Sequence, residues 1–372
     1  MREPVLLTPG PLTTSLATKT AMLRDWGSWD AAFNQLSASV CSDLLAIADA
    51  GDSHVCVPLQ GSGTFAVEAA IGTLLPRDGT LLVLVNGAYG ERMARLTEVM
   101  GRRVVRLTFA DHQAVCPRRL AAALAAHPEC SHVGVIHCET STGLLNPLEQ
   151  IAGVVAAAGR ALIIDSMSAF GALPVLARQV PFAALVSSAN KCLEGVPGMA
   201  FVLAERQALL ASAANSHSLA LDLHDQYVYL QRSGQWRFTP PTHVLAGLRA
   251  ALDQYLAAGG QPARLARYQA NAARLRDGLR RLGLRSYLAE DVQAPIIFTV
   301  HAPPLPGYRF AALYQAVRAR GFILYPGKLT SCETFRIGCI GALDGAEIDQ
   351  ALAALAAALD ELGYLPAAEV AA

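Results

Sequence analysis

Between residues 54 and 204 the chain alternates short, uninterrupted apolar runs with stretches whose apolar residues recur every three or four positions. The runs at 53–59, 80–85 (TLLVLV), 103–108, 132–137, 161–164, 182–186 and 198–203 predict strands. The stretches at 64–75, from Gly87 to Met100, 118–126 and 147–158 predict helices, with Pro76 ending the first and Asn86-Gly87 turning into the second. Strands that are apolar on both faces and separated by helices predict a mostly parallel sheet, covered on both sides and linked by right-handed crossovers. In such sheets ligands bind beyond the carboxyl ends of the strands, so the residues just after each run carry the chemistry.

Past residue 245 the pattern changes. Segments 245–255, 264–282, 309–320 and 346–362 predict helices, and 294–300, 322–325 and 335–340 predict strands. Fewer strands and longer helices predict a smaller α+β layer packed on the first. The alanine runs at 121–126 and 351–358 carry periodic leucines and read as helix, and no internal repeat is present.

Composition narrows the class. Of 372 residues 53% are hydrophobic and 16% charged, which excludes a disordered chain. Thirty basic and thirty acidic residues balance, which argues against a nucleic-acid partner. No apolar stretch reaches the roughly 18 residues of a membrane span, and Met1-Arg2-Glu3-Pro4 predicts no secretory leader. A cytoplasmic protein is expected. Eight scattered cysteines without a C-x-x-C pair predict buried apolar thiols rather than disulfides or a metal site. Three of the thirty basic residues are lysines (Lys19, Lys191 and Lys328), so any chemistry that needs a primary amine has three candidates.

Three features follow strands. Gln60-Gly61-Ser62-Gly63-Thr64 opens a helix, where free N–H groups and hydroxyls suit a phosphate; an ordinary capped turn is the competing reading. No lysine follows the glycines as in a Walker loop, and Val67 replaces the third glycine of a dinucleotide fingerprint. Asp165 ends an apolar run, where a carboxylate needs a donor or cation; a structural ion pair competes. Lys191 stands on the Ser187-Ser188-Ala189-Asn190-Lys191 turn after the next run. Together they match one ligand, pyridoxal phosphate: the helix start takes its phosphate, the carboxylate holds its ring nitrogen protonated, and the amine condenses with its aldehyde as a Schiff base. The released amine is then placed to move the substrate proton.

The segments LLTPGPLTTS (6–15), LQGSGTFAVEA (59–69), NGAYGERM (86–93), HCETSTGLLNP (137–147), IIDSMSAFGALP (163–174), SSANKCLEGVPGMAFV (187–202), WRFTPPTH (236–243), ILYPGKL (323–329) and FRIGCIG (335–341) extend the match in order along nearly the whole chain. The chain resembles the class V, fold-type I pyridoxal-phosphate aminotransferases, and within them the phosphonate transaminases. The resemblance implies a large domain at 16–250 with a mostly parallel seven-stranded sheet, and a small α+β domain made of 1–15 with 251–372. It implies transfer of the amine of 2-aminoethylphosphonate to pyruvate, in a homodimer with shared active sites. Alanine– or serine–glyoxylate or –pyruvate aminotransferases of the same class are the competing reading.

Residue by residue, the resemblance makes Ser62, Gly63, Thr64 and Asn190 phosphate or pocket contacts and Tyr89 the aromatic stacked on the ring. Thr140 becomes the hydroxyl near the ring's phenolic oxygen, with Ser141 and Thr142 as competitors. Thr239 reaches the neighbouring subunit's phosphate, and Trp236 either supports that contact or packs in the interface. Arg336 in FRIG grips the substrate anion, its fork suiting carboxylate and phosphonate alike. Lys19 and Lys328 are read as surface or interface charges, His137 as a satisfied histidine, and Cys138 and Cys192 as packing. Cys332 and Cys339 lack the setting of a nucleophile loop. Two segments depart from the pattern, 25–30 with its two tryptophans and 216–222, which loosens the amino-donor expectation. From a different class, a nucleotide-binding oxidoreductase or binding module on the GSG turn would give Lys191 no role.

Overall fold

The computed structural model describes residues 3–304, 307–327 and 332–364. Its main sheet has seven strands in the order His54–Gln60, Met199–Glu205, Ala184–Ser188, Ala161–Asp165, Cys130–Ile136, Thr80–Val85, Arg103–Thr108. All neighbours are parallel except around Met199–Glu205, which runs against both of its own. Alternation explains the continuous apolar runs. In Thr80–Val85, Leu81, Val83 and Val85 face one core with helices Gly63–Leu74 and Ala88–Val99, while Leu82 and Leu84 face another with Ala31–Ile47, Leu148–Ala157 and Thr242–Ala257. With both sides dry, neither set of positions needs to be polar.

A further core gathers helices Gly260–Arg281, Phe310–Ala319 and Gly345–Glu361 around a three-stranded antiparallel sheet, Ile297–His301, Thr334–Gly338 and Tyr325–Pro326. Val5 and Leu7 belong to this core, because Val5–Leu6 pairs in parallel with Phe322–Ile323. The expected strand at 322–325 is therefore two: Phe322–Ile323 serves the N-terminal ribbon, and Tyr325–Pro326 pairs with Phe335 and Arg336. Asp344 and Glu347 cap the last helix reciprocally. Helix Ala31–Ile47 has no counterpart among the expected elements; its alanines and serines blur the apolar stripe that would have marked it. No described helix is long and apolar enough to cross a membrane.

Candidate active site

At the carboxyl ends of the central strands a cavity of about 180 Å³ opens between the sheet and helices Gly63–Leu74 and Ala88–Val99. It is lined by Ser62, Gly63, Thr64, Tyr89, Thr140, Asp165, Asn190 and Lys191 among others. Eight of the ten expected site residues thus converge, although they come from five separate stretches of chain.

Ser62 holds the N-cap position of its helix yet makes no capping bond, so its hydroxyl is available to a ligand together with the helix's first N–H groups. A Cβ at Gly63 would meet the Met167 side chain, which also lines the cavity. Asp165 ends its strand buried, and its Oδ1 accepts from the Met167 N–H at 2.9 Å. Burial, with Glu139 adding to it, pushes the carboxyl up to about 6, against the Met167 bond and the charges of Arg92 and Lys191. Lys191 sits in the turn after Ala184–Ser188, and its Nζ donates to the Pro9 carbonyl at 3.0 Å. Gly10 has a φ of 127°, and any Cβ at this position would overlap the Lys191 side chain. The N-terminal ribbon thus covers the amine.

Of the three neighbouring hydroxyls, Thr140 faces the cavity and bonds Ser168 Oγ at 3.0 Å. The Ser141 hydroxyl turns to Glu139 Oε1 at 2.5 Å, and that of Thr142 to the Glu139 carbonyl at 3.4 Å. Ser188 lines the cavity and donates to Asn190 Oδ1 at 3.0 Å, whereas the Ser187 hydroxyl turns to the Ser166 carbonyl. Tyr89 is half-buried under the Arg92 guanidinium, 4.8 Å from its ring centre, and burial raises its pKa.

Arg336 stands behind Thr140 rather than on the cavity wall. It is fully buried; Nε donates to the Pro326 carbonyl at 2.9 Å and Nη1 to the Thr140 carbonyl at 2.8 Å. Among the described residues Nη2 has no hydrogen-bond partner and no carboxylate pairs with the guanidinium. Thr239 is exposed and lies off the cavity of its own chain. Trp236 corrects its expectation: the ring is buried in its own chain's core and Nε1 donates to Ser37 Oγ at 2.8 Å, so its polar atom is already satisfied there.

The residues expected to be structural behave as such. Buried His137 bonds Ser166 Oγ at 3.0 Å and burial lowers its pKa to about 4; Cys138 and Cys192 are buried; Lys19 pairs with Glu3 at the surface. Lys328 lies outside the described residues. Arg92, Glu139, Met167 and the Pro9-Gly10 ribbon were not anticipated. Arg92 falls three positions after Tyr89, the helical spacing that could have flagged it; nothing local marks the others.

The description Aminotransferase class-V matches residues 31–321. The chain belongs to the class-V aminotransferases. This class-V aminotransferase is 60% identical over 363 residues to the 2-aminoethylphosphonate–pyruvate transaminase of Pseudomonas fluorescens (strain Pf-5), covering 98% of each chain. It is 60% identical over 364 residues to the enzyme of the same name from Pseudomonas aeruginosa (strain PAO1), again with 98% of each covered. Among solved structures it resembles the pyridoxamine-pyruvate aminotransferase of Mesorhizobium loti, with a TM-score of 0.88 and 26% identity over 97% of this chain and 93% of that one. The fold is also that of the alanine–glyoxylate aminotransferase of Nostoc sp., with a TM-score of 0.89 at 23% identity over 96% of each chain. Pyridoxal phosphate is the cofactor of this aminotransferase. The cavity fits that group: an amine, a buried carboxylate and an uncommitted serine at a helix start line one space.

Proposed function

We propose that this class-V aminotransferase moves the amino group of 2-aminoethylphosphonate to pyruvate, giving phosphonoacetaldehyde and L-alanine. The observation that carries the reading is the convergence of Lys191, Asp165 and the Ser62-Gly63-Thr64 helix start on one cavity. The choice of substrates is supported by the 60% identity to the Pseudomonas fluorescens enzyme.

When bound, pyridoxal phosphate supplies an electron sink for the carbanion left as the substrate loses its proton. The residues do the rest. Ser62, Thr64 and Asn190, with the helix N–H groups, would hold the phosphate. The Asp165 carboxylate would keep the proton on the ring nitrogen, with Tyr89 against the ring and the Thr140 hydroxyl toward its phenolic oxygen. Lys191 Nζ would take the proton from the carbon that loses the amine and deliver it to the cofactor's aldehyde carbon, the reverse transfer serving pyruvate. The vacant Arg336 Nη2 binds the phosphonate of the donor and then the carboxylate of pyruvate.

The reading includes a homodimer in which exposed Thr239 reaches the partner's phosphate, and a cytoplasmic location, which suits eight free thiols. It also divides the chain into a cofactor-binding unit at 16–250 and a small unit of 1–15 with 251–372, supported by the separate apolar cores.

Incubation of the purified enzyme with 2-aminoethylphosphonate and pyruvate should yield alanine, while alanine and serine as donors with glyoxylate should not turn over. No alanine from a yellow, cofactor-loaded enzyme would reject the substrate pair. Lys191→Ala should lose the visible absorption band and at least about a thousandfold in rate; a mutant that keeps both removes Lys191 from the site.

A further inference from the structure

One buried charge at the site has no part in the chemistry described above. Glu139 is fully buried, and no lysine, arginine or histidine pairs with it among the described residues. Its carboxylate is held instead by donors: the N–H groups of Tyr89 at 3.2 Å and Gly90 at 3.2 Å, the N–H of Ser141 at 3.2 Å and the Ser141 hydroxyl at 2.5 Å. Tyr89 and Gly90 belong to the first turn of helix Ala88–Val99, whose N-cap position is Gly87. Glycine has no side chain with which to cap, so these N–H groups would otherwise be orphaned. A Cβ at Gly87 would overlap Glu139 Cγ, Cδ and Ser141 Oγ. The missing cap and the space for a distant one are therefore the same feature.

We propose that Glu139 is a positioning residue for the cofactor: a cap supplied from another strand end, which fixes the first helical turn and thereby the place of the Tyr89 ring. The inference rests on the reading of Tyr89 as the residue packed on the cofactor. A negative charge beside the positive end of the helix is favourable, and four donors replace the water that burial removes. Ionisable groups that feel this charge include Asp165, Tyr89, Cys138 and Arg336, which border the cofactor and substrate sides. The same side chain thus stands between the two halves of the site.

Three variants test this in the holoenzyme: Glu139→Ala, Glu139→Gln and Gly87→Ala. The last changes no charge and approaches the contact from the other side. Two readouts are followed, amide hydrogen exchange in peptides covering 88–92 and the rate at which the visible band is lost on dilution into cofactor-free buffer. Both should rise about tenfold in Glu139→Ala, the factor that loss of a helix cap corresponds to. Glu139→Gln, which keeps one acceptor oxygen, and Gly87→Ala should rise in the same direction by less. Faster exchange with wild-type cofactor release would make Glu139 a cap without influence on the cofactor, and would overturn the inference. So would wild-type values of both in Glu139→Gln and Gly87→Ala, which decide the matter should Glu139→Ala fail to fold. Lys191→Ala as a parallel control separates the two levels: if its band persists, the assignment of the site has failed rather than this inference.

Discussion

Two of the chain's buried arginines, Arg264 and Arg336, solve the same problem differently. Arg264, on helix Gly260–Arg281, lies 3.1 Å from Glu194 Oε1 and near the rings of Tyr255 and Tyr268. It also donates to the carbonyl of Cys192, next to Lys191, while Tyr268 donates to Glu194 at 2.6 Å. Arg336 is buried too and lies 4.8 Å from the Tyr325 ring, but its hydrogen-bond partners among the described residues are two carbonyls, and Nη2 has none there. Burial lowers the pKa of Arg336; at Arg264 burial pulls the same way but Tyr268 and Glu194 outweigh it, and the pKa rises. Burial of a guanidinium, then, does not distinguish framework from binding site. A paired carboxylate does separate the two: Arg264 has one and, among the described residues, Arg336 has none.

The comparison can be broken most forcefully at Glu194. Glu194→Ala leaves Arg264 buried without its carboxylate and should cost about 3–5 kcal/mol of stability, read from the urea midpoint. A loss under 1 kcal/mol would make Arg264 no better satisfied than Arg336. Arg336→Lys should do the opposite, leaving the midpoint nearly unchanged while kcat/KM falls about a hundredfold for 2-aminoethylphosphonate and pyruvate alike. A fall for only one substrate would show that two anion sites exist.

Asp165 extends the contrast to pH. Its carboxyl is raised from 3.8 to about 6 in the fold, so between those values the folded chain binds more protons than the unfolded one. The cofactor-free protein should therefore lose stability as pH rises from about 4 to about 6, by up to about 3 kcal/mol, and Asp165→Asn should flatten that slope. Urea midpoints across this range, for both proteins, would check it; a rising slope would mean that a cation already satisfies Asp165. The smallest effect belongs to Trp236→Phe, which removes the bond to Ser37 and should cost about 1 kcal/mol with unaltered kinetics. Altered KM there would return Trp236 to the active site.

Legibility in the sequence followed locality. Thr80–Val85 was readable to the residue because both of its faces are dry. The 322–325 run was misread as one strand because its two halves take different partners, and partners are invisible in a local pattern. Lys191 and Asp165 could be found because lysine is scarce and because a charge after an apolar run needs an explanation. Glu139 and the Pro9-Gly10 ribbon could not, since each matters only through groups remote in the chain that folding brings to it. The choice of Thr140 over Ser141 and Thr142 likewise depended on where Glu139 lies.

The ribbon also bears on how the molecule is made. Val5–Leu6 is synthesised long before its strand partner, Phe322–Ile323. Until that partner emerges, the strand pairing that helps hold Pro9 and Gly10 over Lys191 cannot form. Cover over this amine thereby waits on a segment made long after the ribbon itself.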